Sequence, residues 1–139
     1  MQADRKRPIR VLMSKLGMDG HDRGLLVVTL ALRDAGMEVI YIGTNRSVDE
    51  IAQVAVQEGV DIVGVSSLSD AHRRLAPRLV QRLKDKGMGH VPVVLGGLIL
   101  DEDIPALKEA GIAQVFTEGV TLDEMVKYFE QVAAAGRNR

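Results

Sequence analysis

Residues 9–42 read IRVLMSKLGMDGHDRGLLVVTLALRDAGMEVIYI and hold one complete strand–helix–strand unit. The aliphatic run Ile9–Ser14 predicts a buried strand, and Glu38–Ile42 predicts a second. Between them, apolar residues at helical spacing predict a helix over Arg23–Ala35, closed by Gly36, because glycine readily takes the left-handed conformation that ends a helix. A helix joining two such strands makes them parallel, since the crossover returns the chain to the edge from which the first strand began.

Outward from this unit the pattern recurs. Strands are predicted at Asp61–Ser66, Val91–Leu95 and Gln114–Phe116, and helices at Val48–Glu58, His72–Lys86, Glu102–Ala110 and Leu122–Ala135. Ser47-Val-Asp-Glu50 and Thr121-Leu-Asp-Glu124 are capping boxes that mark two helix starts. Gly59, Gly87 and Gly111 follow three more helical segments. Five βα units with right-handed crossovers predict an α/β fold, a flavodoxin-like doubly wound five-stranded parallel sheet of order 2-1-3-4-5. A single domain over 1–139 is expected, with an N-terminal arm at 1–8 and a C-terminal tail at 136–139.

Composition narrows the function. Aromatic residues are 3% of the chain and the net charge is −1, which disfavours a base-stacking surface or a nucleic-acid footprint. The basic cluster Arg5, Lys6, Arg7 reads as a solvated arm. There is no cysteine, so thiolate metal sites and cysteine nucleophiles are excluded. No apolar run is long enough to span a bilayer, and MQADRKRPIR lacks a signal-peptide core, so a cytoplasmic protein without membrane contact is expected.

In a doubly wound sheet, ligands bind outside the carboxyl ends of the strands at the switch point. After the first strand comes Lys15-Leu-Gly-Met-Asp19-Gly20-His21-Asp22-Arg23-Gly24. Ser66-Ser67-Leu68-Ser69-Asp70 follows the third strand, Gly96-Gly97 the fourth and Thr117-Glu118-Gly119 the fifth. Singly, each has an ordinary reading: a surface histidine, a solvated serine, a glycine turn. Asp19, two positions before His21, can accept one imidazole N–H and leave the other nitrogen free to ligate a metal. A bare zinc site needs three or four protein ligands, whereas His72 and His90 lie in other units. A metal that brings its own equatorial ligands needs only one. Neither G-x-x-x-x-G-K-[ST] nor G-x-G-x-x-G follows the first strand, and Ser66-Ser67 stands where a phospho-accepting receiver carries its carboxylate.

Taken in order, Asp19-x-His21-x-x-Gly24, Ser66-x-Leu68 and Gly96-Gly97 resemble the signature of the cobalamin-binding domains of methylmalonyl-CoA mutase and its relatives, over essentially the whole chain. The resemblance implies a corrinoid held base-off and His-on, with His21 as the lower axial ligand of cobalt. It also implies that Asp19 and Lys15 extend the His21 relay, that Gly20, Asp22, Arg23 and Gly24 complete the loop, and that Ser66 and Leu68 line a pocket for the nucleotide tail. Gly96 and Gly97 would admit the tail beside the sheet, and a bulky side chain at Gly97 would block it while leaving a strand-end loop intact. Val115-Phe116-Thr117-Glu118-Gly119 stands where these mutases usually read Tyr-Thr-Pro-Gly-Thr, with Val120 near the usual last Thr. Phe116 lacks the hydroxyl and Glu118 replaces the proline, so Phe116 and Thr117 are expected to border the tail with fewer polar contacts.

DGHDRG followed by ALRDAGMEVIYIG is similar to the acyl-CoA mutase branch, including the isobutyryl-CoA and 2-hydroxyisobutyryl-CoA mutases. The helical cap that precedes the histidine motif in methyltransferase corrinoid proteins is not expected ahead of the first strand. The resemblance therefore implies the small subunit of an isomerase that uses adenosylcobalamin. Activity would require a large barrel subunit that holds the acyl-CoA. The alternatives are a corrinoid carrier or a cobalamin-sensing module without isomerase activity, and a flavodoxin-like domain that binds no corrinoid.

Overall fold

Strand β1 (Arg10–Lys15) buries Val11 and Met13 on one face and Leu12 on the other, so helices must cover both faces of the sheet to which it belongs. The computed structural model describes residues 7–17, 23–67 and 71–137. After β1 come α1 (Arg23–Asp34), β2 (Glu38–Gly43), α2 (Val48–Glu58), β3 (Ile62–Ser67), α3 (Ala71–Asp85) and β4 (Val93–Gly97). A 3₁₀ turn (Asp101–Asp103), α4 (Ile104–Glu109), β5 (Gln114–Phe116) and α5 (Leu122–Arg137) complete the order. The five strands pair in parallel in the order β2-β1-β3-β4-β5, as the βα recurrence predicts.

Two cores result, one on each side of the sheet. On one side, Leu25 and Leu32 of α1 and Phe129 and Ala133 of α5 pack against Val11, Met13, Ile62 and Val94. On the other, Ile51 and Ala55 of α2, Leu79 and Leu83 of α3 and Leu107 of α4 pack against Leu12, Val63, Val65, Val93 and Leu95. No helix of the described residues is long and apolar enough to cross a membrane.

Local chemistry sets the boundaries. Ser47 caps α2 through a 3.1 Å bond from the Glu50 N–H to its hydroxyl, and Glu50 accepts in return from the Ser47 N–H at 3.0 Å. The serine bonds hold the Glu50 carboxyl below the usual carboxylate range. Thr121 and Glu124 make the same reciprocal pair at α5. Gly59 ends α2 at φ 60° and ψ 48°, donating its N–H to the Ala55 carbonyl. Gly36, Gly87 and Gly111 also have positive φ.

Two expected starts move by two residues. The fourth strand begins at Val93 rather than Val91, because Pro92 has no N–H for the ladder, and it continues through both glycines. The fourth helix, expected from Glu102, opens as a 3₁₀ turn and becomes α-helical at Ile104, with Pro105 in its first turn, where a missing N–H costs nothing.

Ser47→Ala should lower the free energy of unfolding by about 1 kcal/mol, the usual loss of a helix N-cap. Urea unfolding followed by circular dichroism measures it, and an unchanged midpoint would mean that the cap is replaced by solvent at no cost.

Candidate functional site

Four strands end in one cross-strand row. Register pairs Lys15 of β1 with Ser66 of β3, Ser66 with Gly96 of β4, and Gly96 with Phe116 of β5. The preceding row on the same face is Met13, Gly64 and Val94, against which α1 and α5 pack. Three small residues, Gly64, Ser66 and Gly96, thus lie together where the helix layer would otherwise meet side chains.

A pocket of about 330 Å³ occupies that space. Met13, Gly64, Ser66, Val94 and Gly96 form its floor, Leu25 and Val28 of α1 and Met125 and Phe129 of α5 its walls, and Leu98 with residues 117–120 its rim. Pockets that bury small ligands run from about 300 to 1,000 Å³. Its mostly apolar lining suits an apolar group better than a free anion.

Polar groups enter at the β1 side. Lys15 is 1% exposed, and a buried ammonium requires hydrogen-bond acceptors. One of its partners is the Ser66 hydroxyl, to which Nζ donates at 3.4 Å. At the β5 side, Phe116 meets Tyr128 edge to face at 5.5 Å, and burial pushes the Tyr128 phenol above its ordinary pKa. Among the described residues no three His, Asp or Glu side chains converge as a metal-binding cluster.

The predicted site residues separate into those the structure brings together and those it does not describe. Lys15, Gly24, Ser66, Gly96, Gly97, Phe116 and Thr117 all line the pocket. Arg23 is exposed at the first position of α1. Asp19, Gly20, His21, Asp22 and Leu68 lie outside the described residues. The chain leading into residues 18–22 is anchored at this end of the sheet: the Leu16 N–H donates to the Ser66 carbonyl at 2.9 Å and the Gly17 N–H to the Arg46 carbonyl at 3.2 Å.

Two expectations change. Lys15, Ser67, Gly96 and Gly97 belong to the strands rather than to the loops after them. Gly97 also cannot serve as a neutral place to add bulk. Its φ is 117°, and a Cβ there would collide with the Ser67 carbonyl oxygen and lie 2.9 Å from the Ser67 carbonyl carbon. Gly96 is the position that opens on the pocket, since a Cβ there meets nothing nearer than the Phe116 carbonyl oxygen at 3.7 Å. The sequence reading missed Gly64, Leu25, Val28, Met125 and Phe129. Gly64 carried a signal, because glycine inside a strand often marks close approach of a ligand or another backbone; the other four are indistinguishable from core residues by periodicity.

A family model described as the B12 binding domain matches residues 9–126. The chain belongs to this family. It is 41% identical over 128 residues to the small subunit of 2-hydroxyisobutanoyl-CoA mutase from Aquincola tertiaricarbonis, covering 92% of this chain and 94% of that one. It is 43% identical over 131 residues to the small subunit of pivalyl-CoA mutase from Xanthobacter autotrophicus, covering 94% of this chain and 86% of that one. Its fold matches a cobalamin-binding protein from Desulfitobacterium hafniense with a TM-score of 0.79 at 20% identity, over 91% of this chain and 60% of that one. In this B12-binding domain the pocket therefore lies on the α1 and α5 side of the sheet, entered from the carboxyl end.

Gly96→Leu should fold with near-native stability and fill the pocket, whereas Gly97→Ala should lose about 1–3 kcal/mol or more from backbone strain and the Ser67 collision. Urea midpoints of the two variants compare them directly. Equal stability would contradict the opposite roles of the two glycines.

Proposed function

We propose that this chain is the cobalamin-binding small subunit of an adenosylcobalamin-dependent acyl-CoA mutase, holding the corrinoid base-off with His21 as the lower axial ligand and the nucleotide tail in the pocket. The row Lys15, Ser66, Gly96, Phe116 carries this reading, because it leaves an apolar slot beside the anchored chain that leads into the histidine segment. The missing side chain at Gly96, where a Cβ would meet nothing nearer than 3.7 Å, leaves room for a flat heteroaromatic tail beside the sheet. The two full-length relatives described by name as mutase small subunits support the enzyme class.

Each residue has a distinct task. His21 donates a ring-nitrogen lone pair, Asp19 accepts the other ring N–H and fixes the tautomer, and Lys15, held by Ser66, supports Asp19. Gly20, Asp22, Arg23 and Gly24 shape the loop that carries the ligand. Ser66 and Leu68 flank the tail, Gly96 gives it room, Gly97 lets β4 approach β3, and Phe116 and Thr117 close the β5 side. When bound, adenosylcobalamin supplies the carbon-centred radical that starts a carbon-skeleton rearrangement of an acyl-CoA. One sheet end forms one wall of such a site, and the opposite wall, with the acyl-CoA, would come from a large barrel subunit that excludes water.

Two measurements test the reading. Asp19→Asn should weaken cobalamin binding by about 10–100-fold, and His21→Ala should weaken it at least as much and remove the visible spectrum of imidazole-ligated cobalamin. A native spectrum in His21→Ala would exclude axial ligation by this residue. The chain alone should not isomerise acyl-CoA substrates with adenosylcobalamin, and activity should appear on adding the large subunit that copurifies with it. Isomerisation by the chain alone would rule out the subunit reading, and copurification with a methyltransferase instead would favour a corrinoid carrier.

A further inference from the structure

The pocket changes character with depth. At the carboxyl ends of the strands it is bordered by Ser66, Thr117 and Glu118. One row deeper, register sets Met13 of β1 beside Gly64 of β3, and Gly64 beside Val94 of β4. All three line the pocket. The space over Gly64 is already taken, because a Cβ there would lie 2.5 Å from Met13 Sδ and 3.5 Å from Phe129 Cζ. The glycine thus lets the Met13 thioether lie over it, and the thioether and the Phe129 ring together close the deep end. Both side chains are buried. Met13, Val94 and Phe129 offer no hydrogen-bond donor, and the methionine sulfur is at most a weak acceptor. A polar edge buried in this row would lose its water and gain no side-chain partner.

We infer that Met13 is a specificity-determining residue for the base that ends the nucleotide tail: its thioether selects a corrinoid whose base has an apolar far edge, such as dimethylbenzimidazole, over one that carries a purine. This rests on the tail-pocket reading above. From the corrin ring the tail runs phosphate, ribose, base, so its polar part meets the polar border and its base reaches the deep row. An adenine there would set an exocyclic amine and ring nitrogens against Met13 and Val94 with nothing to pair them. The methyl groups of dimethylbenzimidazole need no partner, and a thioether is unbranched and polarizable enough to pack closely against a ring.

The test measures binding of three corrinoids to the full chain: cobalamin, a corrinoid with adenine in place of dimethylbenzimidazole, and cobinamide, which has the corrin ring and cobalt but no nucleotide tail. Wild type should prefer cobalamin to the adenine corrinoid by about tenfold or more. Met13→Gln, close in shape but able to donate and accept, should cut that preference by about tenfold. Met13→Leu should keep it, and cobinamide affinity should be the same in all three proteins. If the urea midpoint shows that Met13→Gln does not fold, Met13→Ala takes its place: opening the deep end should lower cobalamin affinity severalfold and leave cobinamide affinity unchanged. A wild type indifferent to the base, a folded Met13→Gln with the wild-type preference, or a folded Met13→Ala with wild-type cobalamin affinity would overturn the inference, as would equal losses for all three corrinoids. Wild type that binds cobalamin no more tightly than cobinamide would overturn the tail-pocket reading, and this inference with it.

Discussion

Parallel register between β3 and β4 sets Ser66 beside Gly96 and Ser67 beside Gly97. On the face covered by α1 and α5, the Ser66 and Gly96 pair leaves a shallow floor, so the helices stand over a pocket instead of a filled core. Gly97, with φ of 117°, lets β4 lie against the Ser67 backbone beside it. A shift of one residue would set Gly96 beside Val65 or Ser67 and break up the floor that Ser66 and Gly96 make. The pocket therefore depends on this register.

The two faces divide the work of stability and binding. Most of the buried aliphatic residues lie on the α2, α3 and α4 side, Leu12, Val63 and Leu95 among them. The α1 and α5 side has the smaller core, and its apolar surface near the carboxyl end remains accessible in the pocket. Unfilled apolar surface costs a protein stability unless a ligand covers it. Charge is also confined. Lys15 is the buried cation at the row's β1 end, while Phe116 and Tyr128 make the β5 end aromatic, so the slot has one polar and one apolar flank.

Much of this was legible in the residue order. Aliphatic strands alternating with capped helices required parallel pairing, and the predicted sheet order is the observed one, since right-handed crossovers leave few alternatives. Ser47 and Thr121 marked helix starts because their hydroxyls and the following glutamates satisfy local N–H groups, a contact that needs no tertiary partner. Ser66, Gly96 and Phe116 could be placed at one end of the sheet because every βα loop in such a fold emerges there.

What only the tertiary structure decided is which atoms meet. The sequence treats Gly96 and Gly97 as an equivalent pair, but a Cβ on Gly96 would meet nothing nearer than 3.7 Å, whereas the positive φ of Gly97 would aim one into the Ser67 backbone of the neighbouring strand. It gives no reason to join His72 to Asp103, whose contact exists because β3 and β4 are neighbours in space. Nor does it separate Leu25, Val28, Met125 and Phe129 from ordinary core, because helical periodicity reports which face is apolar and not whether that face meets a side chain or a cavity. Local bonding and periodicity fixed the elements and their order, while the register between strands distant in sequence decided where the sheet is filled and where it is left open.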